Sequence, residues 1–137
     1  MPTQHASAVW EGTLKSGKGT MKYGDVTGPF TFASRFENGA GTNPEELVGA
    51  AHSGCYSMFL SALLSEKHFD PTIKTSAKVH LGEDDGPKIT LIQLESKVSA
   101  EGLTDEILQE LGAIAKQKCP ISRLFTGTEI TLSLSLI

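Results

Sequence analysis

An α+β fold with antiparallel sheet follows from three features of the chain. Apolar and polar residues alternate at both ends, through residues 6–12 and again through 129–136, as half-buried strands require. A long stretch without Asp, Glu, Lys or Arg runs between Glu46 and Glu66, behind residues that start helices. A second segment, from Thr104, carries an apolar stripe at helical spacing. The expected order is βββ–α–ββ–α–β, with antiparallel sheets around a long, central, buried helix. At 137 residues, a single domain over 1–137 is expected, long enough to bury a core of its own.

The first third reads as strands. Residues 6–12 and 13–15 alternate, residues 16–19 form a Gly-rich turn, and residues 20–22 resume the alternation. A further strand is expected over 30–36. Its period of two puts Phe30, Phe32 and Phe36 on one face and Thr31, Ala33 and Arg35 on the other, so Arg35 should point away from the aromatic face. Residues 37–41 are a loop.

Asn43-Pro44-Glu45-Glu46 then starts a helix. Asn43 suits the N-cap, Pro44 the first helical position and Glu46 the third, where a carboxylate can reach back to the cap. Glu45 and Glu46 also complement the positive end of the helix dipole. The helix should reach about Lys67-His68 and stop before Asp70-Pro71. Its charge-free stretch, about 19 residues, approaches the length of a bilayer span. His52, Ser53, Ser57, Ser61 and two glycines lie inside it, so a helix buried within a soluble fold fits better than a membrane span.

Strands are expected over 73–81 and 89–100, joined by a turn at 82–87. In the second helix Thr104 is the N-cap, Asp105 and Glu106 occupy the first turn, and Lys116 and Lys118 the last. Ile107, Leu108, Leu111, Ile114 and Ala115 form its stripe. There is no internal repeat or low-complexity tract.

A net charge of −4 and a pI near 5.5 argue against nucleic acid as a partner, because phosphate binding needs a basic face. No basic segment followed by an apolar run marks a signal peptide, so a cytoplasmic location is expected, where thiols are kept reduced. A bond between the two cysteines, Cys55 and Cys119, would then be a transient redox bond and not a structural staple.

Each cysteine has two readings. A small buried thiol that merely packs is the common case. A reactive thiol must be ionised, and burial in an apolar helix opposes that, so Cys55 would need a nearby cation. His52, one turn back, is the only titratable group close by in its helix, and Arg35 is the best remote candidate. Arg35 could equally be a solvated strand residue, and Glu45 a helix-dipole residue. His52 could be a core histidine or half of an H-x-x-C metal pair that lacks two further ligands. Cys119-Pro120 opens a short helix-like segment, with Lys116, Lys118 and Arg123 nearby to favour a thiolate.

The run from Gly41 to Cys55, Gly-Thr-Asn-Pro-Glu-Glu-Leu-Val-Gly-Ala-Ala-His-Ser-Gly-Cys, resembles the OsmC/Ohr family of thiol-dependent peroxidases, as does the downstream Lys118-Cys119-Pro120-Ile121-Ser122. Trp10-Glu11-Gly12, Gly17-Lys18-Gly19-Thr20 and Arg35-Phe36-Glu37 are similar to the OsmC (osmotically inducible protein) branch, so the resemblance covers nearly the whole chain. It implies reduction of organic hydroperoxides without a cofactor or a metal. It implies Cys55 as the peroxidatic thiol, Cys119 as the resolving thiol, and Arg35 with Glu45 as the bidentate pair that activates Cys55. It also implies an external dithiol as reductant, with a lipoyl protein as the leading candidate. Two readings from other classes stand beside it: a peroxide-responsive redox sensor, and a binding protein without turnover.

The resemblance and helix geometry together imply an intertwined homodimer. Glu45 and Cys55 lie ten residues apart on one expected helix, ~15 Å of axial rise, and roughly 80° apart around its axis. One guanidinium cannot easily reach both, whereas two such helices packed antiparallel about a two-fold axis would bring Glu45 of one chain near Cys55 of the other.

Overall fold

The computed structural model describes all 137 residues, which divide into two units, Met1–Leu47 and Val48–Ile137. In the first unit, β1 (Ala6–Glu11), β2 (Lys18–Tyr23) and β3 (Val26–Phe30) form an antiparallel sheet in that order. Pro29 sits on the edge strand β3, where a missing N–H costs little. Gly19 permits the closest approach in this sheet. A Cβ there would come within 2.7 Å of Trp10 and 2.6 Å of Phe30, whose rings pack 5.3 Å apart. Residues 13–15, expected to extend a strand, instead lie in the turn between β1 and β2, where the Thr13 and Ser16 hydroxyls bond at 2.6 Å.

The strand expected over 30–36 is corrected. The chain leaves β3 at Phe30 and turns into a short helix, α1 (Phe32–Phe36). Thr31 is its N-cap: the Ser34 amide donates to the Thr31 hydroxyl at 3.1 Å, and the Thr31 amide donates to the Ser34 hydroxyl at 2.8 Å. This reciprocal capping box outweighs the alternation of aromatics. Helical spacing then brings the Phe32 and Phe36 rings to 4.9 Å, a contact that a strand also places on one face.

Helix α2 (Pro44–Glu66) starts where its capping residues indicate. The Glu46 amide donates to Asn43 Oδ1 at 2.8 Å, and Glu46 Oε1 accepts from the Asn43 side-chain amide at 2.9 Å. At the other end His68 takes φ +68°, and Phe69 and His68 donate back to the Leu64 and Ser65 carbonyls, which closes the helix. One face is buried, carrying Gly49, His52, Tyr56, Leu60 and Leu64. Ala51, Gly54, Met58 and Ala62, at helical spacing, are exposed, Met58 at 78%.

In the second unit β4 (Thr72–Glu83) and β5 (Pro87–Ser99) form a long antiparallel hairpin. Helix α3 (Asp105–Lys118) and the short α4 (Pro120–Leu124) follow, then β6 (Glu129–Leu136). The sheet order is β4-β5-β6, and β6 runs parallel to β5. The expectation of purely antiparallel sheets is therefore corrected. The reason is the connection: β5, α3 and β6 make a strand–helix–strand unit whose crossover is long enough to return the chain in the same direction. Leu60, Leu64, Ile92, Leu94, Val98 and Leu108 fill the core, each fully buried side chain contributing roughly 1.5–3 kcal/mol. Gly112 lets α3 lie against β6, because a Cβ there would overlap the Leu134 side chain. A hydroxyl chain links α2 to the sheet, from Ser57 to Thr75 at 2.7 Å and from Thr75 to Ser96 at 2.9 Å.

Candidate active site

In the first unit the turn of α1 brings Arg35 to Glu45 at the start of α2. Arg35 Nε and Nη2 each donate to Glu45 Oε1 at 2.9 Å. Both donors meet one oxygen, not one each as a fork-to-fork pair would have it. Glu45 Oε2 is left buried without a partner. Asn43 holds the two elements in place, since its amide donates both to the Ser34 carbonyl of α1 at 3.1 Å and to Glu46. The guanidinium also lies 5.3 Å from the centroid of the Phe36 ring, so Arg35 does not turn away from the aromatic residues as a strand would have placed it. Trp10, Leu14, Phe30, Phe32, Arg35 and Phe36 line an apolar cleft of ≈ 250 Å³.

In the second unit the two cysteines are brought side by side. Cys55 is half-buried on α2, where Cys119 and the Ile121 backbone both act on its thiol. Burial pushes its thiol pKa up, the Ile121 amide pulls it down, and the neighbouring Cys119 raises it again. The net direction is upward, and no basic side chain of this unit is among the groups acting on Cys55. Neither cysteine is in a disulfide.

Cys119 is fully buried and is both the last cap of α3 and the N-cap of α4. Its sulfur accepts from the Ser122 amide at 3.3 Å and lies 3.1 Å from the Ser122 hydroxyl. Ser122 is thus the hydrogen-bond partner of this sulfur, its amide donating to it and its hydroxyl accepting from the thiol, while Lys118 and Arg123 are exposed. Ser122 Oγ lies in turn 2.7 Å from His52 Nε2. His52 is fully buried, and burial lowers its pKa, so it is neutral near pH 7 and supplies no positive charge. No group of three or more His, Cys, Asp and Glu is arranged to hold an ion. Reading the sequence missed Ser122 as a site residue. The signal was present in Cys119-Pro120-Ile121-Ser122, where a capping atom and the third helical residue are spaced to bond.

A family model described as OsmC-like protein matches residues 37–135. The chain belongs to the OsmC-like family. The peroxiredoxin OsmC of Escherichia coli (strain K12) is 44% identical over 134 residues, covering 94% of this chain and 93% of that one. The organic hydroperoxide resistance protein OhrB of Bacillus subtilis (strain 168) is 27% identical over 116 residues, with 85% and 82% covered. The crystal structure of B. subtilis OhrB superposes with a TM-score of 0.64 at 26% identity, over 97% of this chain and 98% of that one. An OsmC-like protein of unknown function from Vibrio cholerae shares the fold with a TM-score of 0.75 at 16% identity, over 98% and 99% of the two chains. The α+β fold with two three-stranded sheets and a long helix is thus that of OsmC and Ohr proteins.

Proposed function

We propose that this protein is a thiol-dependent peroxidase that reduces organic hydroperoxides to alcohols. The observation that carries the reading is the pairing of its two cysteines, distant in sequence, beside each other in the second unit. The names peroxiredoxin and organic hydroperoxide resistance protein borne by relatives agree with it. The Cys55 thiolate attacks the distal oxygen of ROOH, the O–O bond breaks, and the alkoxide takes a proton and leaves as ROH. Cys55 is left as a sulfenic acid. Cys119 then displaces water from that sulfur to form a disulfide, which an external dithiol reduces, a lipoyl dithiol being the first to try.

The Cys55 thiol is pushed up within its own unit, so the reaction needs a cation from elsewhere. Arg35, oriented by Glu45, is that cation in this reading, and its apolar cleft suits an alkyl or aryl group better than hydrogen peroxide. We place the pair and the thiol in a homodimer with shared sites. Three features support this: the uncovered apolar stripe of α2, the exposure of Val9 and Val26 on the first sheet at 60% and 52%, and the orphaned Glu45 Oε2. A cytoplasmic setting follows from thiols that must be re-reduced.

The test is mass spectrometry of the reduced protein after one equivalent of cumene hydroperoxide, followed by turnover with dihydrolipoamide, thioredoxin or glutathione. A Cys55–Cys119 disulfide and dithiol-dependent turnover are expected. Disulfide without turnover would make the protein a redox sensor, and no disulfide at all would make the cysteines packing residues.

A further inference from the structure

Resting on the reading of Cys119 as the resolving thiol, we propose that Ser122 and His52 form a proton relay that ionises Cys119 for its attack on Cys55. Three atoms are linked in succession: Cys119 Sγ, Ser122 Oγ at 3.1 Å from it, and His52 Nε2 at 2.7 Å from that oxygen. All three residues are buried, with His52 and Cys119 at 0% and Ser122 at 7% exposure, so the chain of bonds works without competition from solvent.

A packing role explains this arrangement poorly. His52 Nδ1 is buried with no hydrogen-bond partner, a penalty that an apolar side chain against the edge of the Phe125 ring would avoid. The cost is understandable if the imidazole is there for Nε2. The neutral ring that burial enforces is the form able to take a proton. Ser122 is placed to accept from the thiol and donate to the ring at once, and its amide steadies the sulfur as charge develops.

The step balances. The Cys119 thiol proton passes to Ser122 Oγ as the Ser122 hydroxyl proton passes to His52 Nε2, with the other ring proton on Nδ1. The Cys119 thiolate attacks the sulfur of the Cys55 sulfenic acid, the S–O bond breaks and the S–S bond forms. The expelled hydroxide takes up a proton and leaves as water. That proton is the one His52 gives back through Ser122, so none is gained or lost overall.

The experiment is a rapid-quench single turnover of the full chain with cumene hydroperoxide, reading the dimedone-trapped Cys55 sulfenic acid and the disulfide by mass spectrometry. In Ser122→Ala the ratio of the disulfide rate to the Cys55 oxidation rate should fall about tenfold or more, with trapped sulfenic acid accumulating. His52→Gln keeps a hydrogen-bonding group but no base, and should lower the ratio to the same degree. Ser122→Thr keeps the hydroxyl and should recover most of it. Wild-type ratios in Ser122→Ala and His52→Gln overturn the relay alone, as does equal loss in Ser122→Thr and Ser122→Ala. If Ser122→Ala fails to fold, His52→Gln decides. A wild-type chain that forms no disulfide overturns the peroxidase reading and this inference together.

Discussion

The two units hold their chemical groups in opposite ways. In the first, a guanidinium and a carboxylate meet between the short helix α1 and the start of α2, with the Arg35 side chain 39% exposed and one carboxylate oxygen unanswered. In the second, two thiols, a hydroxyl and an imidazole are packed into a filled core. The first arrangement supplies full charge that water and salt can screen. The second supplies directed hydrogen bonds in a setting that opposes charge. A reactive thiolate needs both, and neither unit offers both. The division explains why Cys55 is pushed toward its neutral form among the groups of its own unit.

The largest effect that would break this contrast is at the thiol. Cys55→Ser should lower peroxide turnover about a thousandfold or more, while Cys119→Ser should allow one oxidation and then stall at the sulfenic acid, open to overoxidation. Equal first-turnover rates in wild type and Cys55→Ser would remove Cys55 from the chemistry. Chain mixing asks whether the two units act across a dimer. Inactive Cys55→Ser and Glu45→Ala chains, once exchanged, should recover up to one working site per heterodimer. No recovery after verified exchange, or an active monomer by sedimentation, would place the whole site in one chain.

Smaller effects sharpen the electrostatic side. Arg35→Ala should move the pH midpoint of Cys55 alkylation up by about one unit, and Arg35→Lys should restore it only in part, because an ammonium lacks the paired donors. An unchanged midpoint would take Arg35 out of the site. On the packing side, Gly112→Ala should cost about 1–3 kcal/mol in urea unfolding, since its methyl meets Leu134.

The smallest effect concerns His52. Its folded pKa is lowered by burial, so the unfolded chain binds more protons once pH falls below about 6.5. Stability is therefore full above that value and is lost as pH drops toward the folded pKa, by at most about 1.4 kcal/mol per pH unit for one proton. Urea midpoints at pH 5 and pH 7 should differ less in His52→Gln than in wild type.

Legibility followed the range of the forces involved. The start of α2 was readable because Asn43, Pro44 and Glu46 act on one another within one turn. α1 was misread because alternating aromatics imitate a strand, and Thr31 with Ser34 is a quieter capping signal than one ending in Glu. The parallel β6 was hidden in its own alternation, which fits either direction; only the intervening helix carries the information. Cys55, Cys119 and Arg35 stood out as candidates from the residues themselves, whereas their roles and the pairing of Arg35 with Glu45 came from resemblance to a family; the turn of α1 that brings that pair together was not legible. The contact of His52 with Ser122 joins positions 70 residues apart, and no local pattern announces it.

The place of Cys119 at the joint of two helices has a mechanical consequence. Its sulfur caps α4, a helix of only five residues that has no length over which to recover a lost bond. Drawing the sulfur toward Cys55 would take the acceptor from the Ser122 amide, a loss on the order of 1 kcal/mol for a cap. The oxidised protein would then show its state on the outside, as a loosened turn around the exposed Leu124.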